Sequence, residues 1–179
     1  MRYFTFLLSF LFYSLGYAQE PVWILVDTDN KTLLVKQGER ILEQFGKISI
    51  ARRGAGYKQQ RGDDITPIGN YRINHTNNGS HFRRFFELSY PSVEDAELGL
   101  SSGVISQAVY QSVLSAHQNN RMPPQNTALG GHIGIHGVGS GNKQIHGLFD
   151  WTHGCIALSN PQIDRLAKWV YKGMRVKIK

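Results

Sequence analysis

The chain has 179 residues, and 20 Lys and Arg against 13 Asp and Glu give a formal net charge of +7. That length suits one domain of roughly 150 residues with a sizeable core, and a hydrophobic share of 41% excludes a wholly disordered chain. The single Cys excludes an intramolecular disulfide and a zinc site built on several thiolates. Because the basic residues form no dense block, we expect no nucleic-acid partner.

The N-terminal residues have the pattern of a secretory signal peptide. Met1 and Arg2 form a short basic start, the run from Tyr3 to Leu15 is apolar, and Gly16 and Ala18 are small. This apolar run is too short for a typical spanning helix, so we predict a signal peptide over residues 1–18, cleaved near Ala18. An uncleaved membrane anchor is the alternative. Residues 19–179 are then one exported domain, located in the periplasm or the cell wall.

Most of the remaining chain is predicted to form strands. Short apolar runs separated by turn residues indicate strands over residues 22–26, 32–36, 41–51, 65–73, 81–90 and 174–178. Residues 52–64 are rich in Gly and charge and are predicted to form a loop. Apolar residues at helical spacing predict one helix over 104–116 and a second that begins with Asn160 as its N-cap and stops at Gly173. We therefore expect a mainly β fold with a few flanking helices.

Residues 131–137 alternate between Gly or His and apolar side chains. A strand with this period directs His132, Gly134 and His136 to one face, and Ile133 and Ile135 to the other. A face with two histidines and a glycine is poorly suited to a core and well suited to a functional site. We expect His132 to line the cleft rather than to take part in catalysis.

The only cysteine, Cys155, follows Gly154 at the start of an apolar run. An unpaired thiol in an exported protein is exposed to oxidation, so its presence next to His and Gly indicates a task. A cysteine nucleophile needs a nearby base, and His is the residue whose pKa best suits that role. The glycine allows a tight turn whose backbone N–H groups can stabilise an oxyanion. These residue types indicate acyl transfer.

His136-Gly137 followed by Thr152-His153-Gly154-Cys155 resembles the signature of the L,D-transpeptidase catalytic domain family (YkuD-type). The stretches 62–71, 123–131 and 160–178 are also similar to segments of that family, so the resemblance covers nearly all of residues 19–179. It implies a mainly β sandwich or barrel fold with a few flanking helices.

The resemblance also implies a role for each residue of the signature. Cys155 corresponds to the nucleophile, His136 to the base that takes its proton, and the backbone carbonyl of Gly137 to the group that orients the ring. The residues implied to form or support the oxyanion hole are Thr152, His153 and Gly154.

The family acts on the stem tetrapeptides of peptidoglycan. The resemblance implies attack on the carbonyl of the third residue, release of D-Ala, and transfer of the acyl group to an amine. That amine comes from a second stem or from a lysine of a wall-anchored lipoprotein, and water would give hydrolysis instead. We expect a monomer that needs no metal or organic cofactor.

One position departs from the family pattern, because Ala157 stands where many members have Arg. The stem or acceptor specificity is therefore open. Three alternative functions also stay open: a hydrolase of the same fold, a wall-binding module without turnover, and a zinc hydrolase. The zinc site would draw on His132, His136, His146, His153 and Cys155.

Two further features have weaker signals. Asp63 and Asp64 are adjacent in the predicted loop, so we expect their side chains to point apart and to serve as loop charges. The segment 99–126 has the position of a lid or cap over the cleft.

Overall fold

Strands dominate the part of the chain that the computed structural model describes, which is residues 20–179. The predicted signal peptide lies outside the described residues. The strands are β1 (Val22–Asp27), β2 (Thr32–Gln37), β3 (Arg40–Gly46), β4 (Ala55–Gly56), β5 (Thr66–Pro67), β6 (Gly69–Ser80), β7 (Arg83–Leu88), β8 (Gly134–Gly137), β9 (Ile156–Leu158) and β10 (Arg175–Ile178). The helices are α1 (Val93–Ser101), α2 (Gln107–Gln118) and α3 (Asn160–Leu166). The expected mainly β fold with flanking helices is confirmed.

Eight strands form one mixed sheet in the order β3-β2-β1-β10-β6-β7-β8-β9. The last strand of the chain, β10, lies between β1 and β6, parallel to the first and antiparallel to the second. β8 and β9 are also parallel to each other. The remaining pairs, β3-β2, β2-β1, β6-β7 and β7-β8, are antiparallel. The short strands β4 and β5 form a separate parallel pair.

The core lies on one face of these strands, as their alternating side chains predict. In β1 and β2, Ile24, Val26, Leu33 and Val35 are fully buried, whereas the residues between Ile24 and Val26 and at the strand ends are partly exposed. This period of two is the pattern of a strand with one apolar face.

The predicted strand over residues 41–51 is wrong in one respect, because it is two segments. β3 ends at Gly46, and Lys47 adopts a left-handed backbone conformation with φ of 57° that redirects the chain. Ser49 then exchanges backbone hydrogen bonds with Ala157, with N···O distances of 3.0 and 2.8 Å. The segment that follows β3 therefore lies along β9 at the opposite edge of the sheet.

Helix α1 has no counterpart in the prediction from the sequence. It is nine residues long, and it begins with a capping box in which Ser92 and Asp95 bind each other's backbone N–H groups. The helix predicted over 104–116 is confirmed as α2, which begins after Ser106 and packs on the core through Val113. Within residues 20–179, no helix combines the length and apolar character needed to cross a membrane.

Helix α3 begins one residue earlier than predicted, because Ser159 rather than Asn160 is its N-cap. The Asn160 side chain is used elsewhere: it accepts from the Gly139 N–H at 2.8 Å and donates to the Gly139 carbonyl at 2.9 Å. Ser159 and Gln162 form the capping box instead. The helix also ends at Leu166, well before Gly173.

Candidate active site

The parallel pair β8 and β9 sets Cys155 beside the strand that carries His136. His136 lies opposite Ala157 in the register, and Cys155 is two residues before Ala157, immediately ahead of β9. Side chains two positions apart along a strand point to the same face, and neighbouring strands lie about 4.8 Å apart. Extended by one residue, this register sets Cys155 level with Gly134 on β8, two positions before His136.

The His136 imidazole is buried in an aromatic cage. Its residue is 2% exposed, and its ring lies 4.3 Å from that of Phe82 and 5.9 Å from that of Phe85, with which it stacks. The Trp151 ring meets it edge-on at 5.8 Å. These contacts fix the plane of the imidazole.

One hydrogen bond sets the tautomer of His136. Nδ1 lies 2.7 Å from the Gly137 carbonyl oxygen, which can only accept, so Nδ1 carries the proton and Nε2 is left as the basic nitrogen. Burial in the cage lowers the pKa of His136 to about 4, although the Gly137 carbonyl acts in the opposite direction. The imidazole is therefore neutral at pH 7.

Cys155 is a partly exposed residue whose thiol is desolvated and uncharged. Its Sγ donates to the His132 carbonyl at 3.5 Å. Loss of solvation raises the pKa of Cys155 to about 11, and the nearby Glu87 carboxylate acts in the same direction, whereas the Gly134 N–H and the Lys58 ammonium lower it. Thiol and imidazole are thus both neutral at rest rather than an ion pair.

The turn before Cys155 is held by Thr152, which is 4% exposed. Its Oγ1 donates to the Cys155 carbonyl at 2.7 Å and accepts from the Gly154 N–H at 3.3 Å. Gly154 has a φ of 151°, and a Cβ at this position would lie 2.6 Å from the Ile133 side chain. The turn therefore requires glycine at position 154. In this conformation the Gly154 N–H points to Thr152 Oγ1.

We expect Thr152→Val to lower the free energy of unfolding by about 1–3 kcal/mol, because it leaves the Cys155 carbonyl without its hydroxyl donor. Urea titration followed by tryptophan fluorescence measures this change. Thr152→Ser keeps the hydroxyl and is the matched control. Equal stability of the Val and Ser variants would contradict the assigned clamp.

The other two predicted site residues, His132 and His153, are on the surface. The predicted strand over 131–137 is shorter than expected, since only 134–137 is strand, and His132 has a left-handed φ of 54°. The His132 side chain is 74% exposed and binds Glu87 at 2.9 Å. The His153 side chain is 72% exposed and binds Asp64 at 2.6 Å.

The aspartates of the loop 52–64 point in different directions, as their adjacency predicts. Asp64 reaches the surface and His153, whereas Asp63 is buried in an ion pair with Lys58. Asp63 also accepts from the backbone N–H groups of Gln59, Gln60 and Ile65. Burial alone would raise the pKa of Asp63, but the ammonium and these N–H groups lower it. This pair anchors the loop beside Cys155.

A cavity of about 630 Å³ opens at His132 and His153, which are neighbours of Cys155, although Cys155 itself does not line it. Its lining includes His132, whose carbonyl the Cys155 thiol contacts, and His153, two residues before Cys155. Lys58 and Arg61 also line it. Only the end of the predicted lid segment, at Gln125 and Asn126, borders the cavity. The volume is typical of a ligand-binding site.

The histidines of the zinc alternative do not converge. Among residues 20–179, no group of three His, Cys, Asp or Glu side chains could hold a metal ion. The Nδ1 atom of His146 lies 3.3 Å from the Ser49 hydroxyl, and its Nε2 is buried without a hydrogen-bond partner in the described part of the chain.

Sequence reasoning missed the groups that surround the thiol and the imidazole. They are Lys58, Arg61, Phe82, Phe85, Glu87 and Trp151. Phe82 and Phe85 lie more than 50 positions from His136, and Glu87 lies 45 positions from His132, so no local pattern reveals them. Trp151, which contacts His136, is nearer in the chain.

The L,D-transpeptidase catalytic domain model matches residues 21–178, so the chain belongs to that family. The predicted family is confirmed. No curated protein sequence matches the chain at a significant level.

Solved structures show the same fold. The helical cell shape determining protein Pgp2 from Campylobacter jejuni is 23% identical with a TM-score of 0.61, over 91% of this chain and 49% of that one. Bd1075 from Bdellovibrio bacteriovorus is 20% identical with a TM-score of 0.53, over 93% and 50%. An L,D-transpeptidase from Mycobacterium smegmatis is 12% identical with a TM-score of 0.51, over 88% and 58%. The chain thus spans about half the length of the first two.

Proposed function

We propose that this chain is a cysteine-dependent peptidoglycan L,D-transpeptidase with Cys155 as nucleophile and His136 as general base. The observation that supports the proposal is the register of β8 and β9, which sets Cys155 level with Gly134, two positions before His136, together with the Nδ1 bond to Gly137 that leaves Nε2 of His136 as the basic nitrogen. The partial exposure of Cys155 and the cavity lined by its neighbours His132 and His153 support access for a peptide.

The first half of the reaction forms a thioester. Nε2 of His136 takes the thiol proton as Sγ bonds to the carbonyl carbon of the third stem residue, and the carbonyl oxygen becomes an oxyanion. The backbone N–H groups of His153, Gly154 and Cys155 stabilise it, and the Gly154 N–H leaves Thr152 Oγ1 to do so. When the intermediate collapses, the C–N bond breaks and the imidazolium returns its proton to the amine of D-Ala, which leaves.

The second half reverses these proton transfers. An amine of another stem attacks the thioester, His136 takes a proton from it, and the thiolate leaves and recovers that proton. A lysine of a wall-anchored lipoprotein is chemically equivalent as acceptor, and water in its place gives hydrolysis. No metal or organic cofactor is needed for either half.

The Cys155 thiol and the His136 imidazole are both neutral before substrate binds, and this determines when the thiolate forms. Burial favours the uncharged form of both groups, so charge separation is delayed until a bound carbonyl can accept the developing negative charge. A thiol that stays protonated between turnovers is also less readily oxidised.

The substrate lies outside the cytoplasm, which agrees with the signal peptide predicted for residues 1–18. We infer export, cleavage near Ala18 and action of the mature monomer, residues 19–179, in the periplasm or cell wall. N-terminal sequencing of the protein recovered from the producing cells identifies the mature start.

The test is incubation of the parent and of Cys155→Ala with disaccharide tetrapeptide. We expect the parent alone to release D-Ala and to show a thioester adduct on Cys155 by mass spectrometry. Cross-linked dimer as the product indicates transfer to an amine, and free tripeptide indicates hydrolysis. Binding without release indicates a wall-binding module, and release that survives Cys155→Ala overturns the proposal.

A further inference from the structure

Arg61 lies on the wall of the cavity beside Cys155 without an acidic partner among residues 20–179. Its Nη2 donates to the Asn126 side-chain oxygen at 2.5 Å and to the Thr127 carbonyl at 3.1 Å. Its backbone N–H donates to the Ala128 carbonyl at 2.7 Å. Both acceptors of the guanidinium are uncharged, so the side chain of this exposed residue is held in place without a carboxylate beside its positive charge.

The other charged groups of this cavity are matched. Each of its cationic or titratable basic side chains apart from Arg61 contacts a carboxylate: the pairs are Lys58–Asp63, His132–Glu87 and His153–Asp64. Arg61 uses two acceptors for one of its nitrogens and has further N–H donors in a planar fork that fits a carboxylate. The free positive charge of the cavity is therefore that of Arg61.

We propose that Arg61 binds a carboxylate on the part of the donor stem that remains attached in the acyl-enzyme, and so determines donor specificity. This inference rests on the proposed function. A carboxylate site at Arg61 would supply the cation that is missing at Ala157, where many family members have Arg. Ala157 is buried opposite His136 in β9, and its side chain has no donor for an anion.

The position of the cavity decides which carboxylate is bound. The cavity is bordered by His132 and His153, the neighbours of Cys155, whereas His136 and the rings that enclose it do not border it. The leaving amine must take its proton from His136, so the terminal residue lies on the imidazole side of Cys155. The carboxylate in the cavity therefore belongs to the second or third stem residue.

Calorimetric binding of donor tetrapeptides to the mature chain carrying Cys155→Ala tests this inference without turnover. One donor is unmodified, and three others each have a single carboxylate converted to a carboxamide, on the second, third or terminal residue. We expect Arg61→Gln to weaken binding of the unmodified donor by about ten- to a hundredfold. Converting one carboxylate, on the second or the third residue, to a carboxamide should weaken binding to the protein with Arg61 by the same factor. The same carboxamide should not change the affinity of the Arg61→Gln variant.

Two further variants act as controls. Arg53→Gln removes the same charge from the same loop at an exposed position that does not border the cavity, and should bind all donors as the parent does. Arg61→Lys keeps the charge without the planar fork, and should bind the unmodified donor with intermediate affinity. Thermal unfolding checks that each variant is folded.

Equal affinity of Arg61→Gln and its parent for every donor overturns the inference, as does a loss that depends only on the terminal carboxylate. The thioester assay on protein with Cys155 separates this result from the proposed function. Thioester formation without an Arg61 effect overturns the carboxylate site alone. The expected binding pattern without any thioester overturns the proposed catalysis and leaves the site in place.

Discussion

Replacing His136 with Gln is expected to lower the rate of Cys155 acylation by about 10²- to 10⁴-fold. The thiol has a pKa raised to about 11 by burial, so very little thiolate exists at pH 7 without a base that accepts the proton during attack. Gln can donate to the Gly137 carbonyl as His136 does, but it cannot accept a proton. The rate constant for thioester formation with tetrapeptide, measured by mass spectrometry of quenched samples, reports the loss.

The pH dependence separates a chemical role of His136 from a structural one. For the parent, both groups are neutral from pH 6 to 9, so the acylation rate should change little over this range. For His136→Gln the thiolate must form by itself, so the rate should rise about tenfold per pH unit towards the pKa of the thiol. His75→Gln, at an exposed position in β6, is the control. A variant that keeps the parental pH profile would exclude His136 as the base.

The residues proposed to carry the chemistry, Cys155 and His136, could be selected from the sequence because they have distinctive types and local partners in the chain. Cys155 follows a glycine whose Cβ would clash with Ile133, and His136 precedes the glycine whose carbonyl it binds. Both relations are local, so a pattern of neighbouring residues contains them. The family resemblance added their roles.

The parts that the sequence did not reveal depend on tertiary contacts. The strand predicted over 41–51 divides at Lys47, because its second half pairs with β9 rather than with β2. Asn160 is a good N-cap by type, but Gly139 engages its amide. Arg61 resembles any other loop cation until the fold places it on the cavity wall.

Acidification is expected to destabilise the folded protein through His136 by about 3 kcal/mol between pH 6.5 and pH 4. In the unfolded chain His136 has an ordinary pKa near 6.5, whereas burial in the aromatic cage lowers its pKa to about 4 in the folded protein. Between these values the unfolded state binds a proton that the folded state does not. The stabilisation is therefore complete above pH 6.5, decreases as the pH falls, and is lost below pH 4.

The comparison with His136→Gln isolates this contribution from other titrating groups. Burial also lowers the pKa of His146, which destabilises the parent and the variant alike in acid. Urea unfolding of both proteins at several pH values between 7 and 4 should therefore show the parent losing about 3 kcal/mol more than the variant. His75→Gln should follow the parent, because that side chain is exposed. Parallel curves for parent and His136→Gln would mean that the imidazole is hydrated in the folded protein, and that the resting pair is not kept neutral by burial.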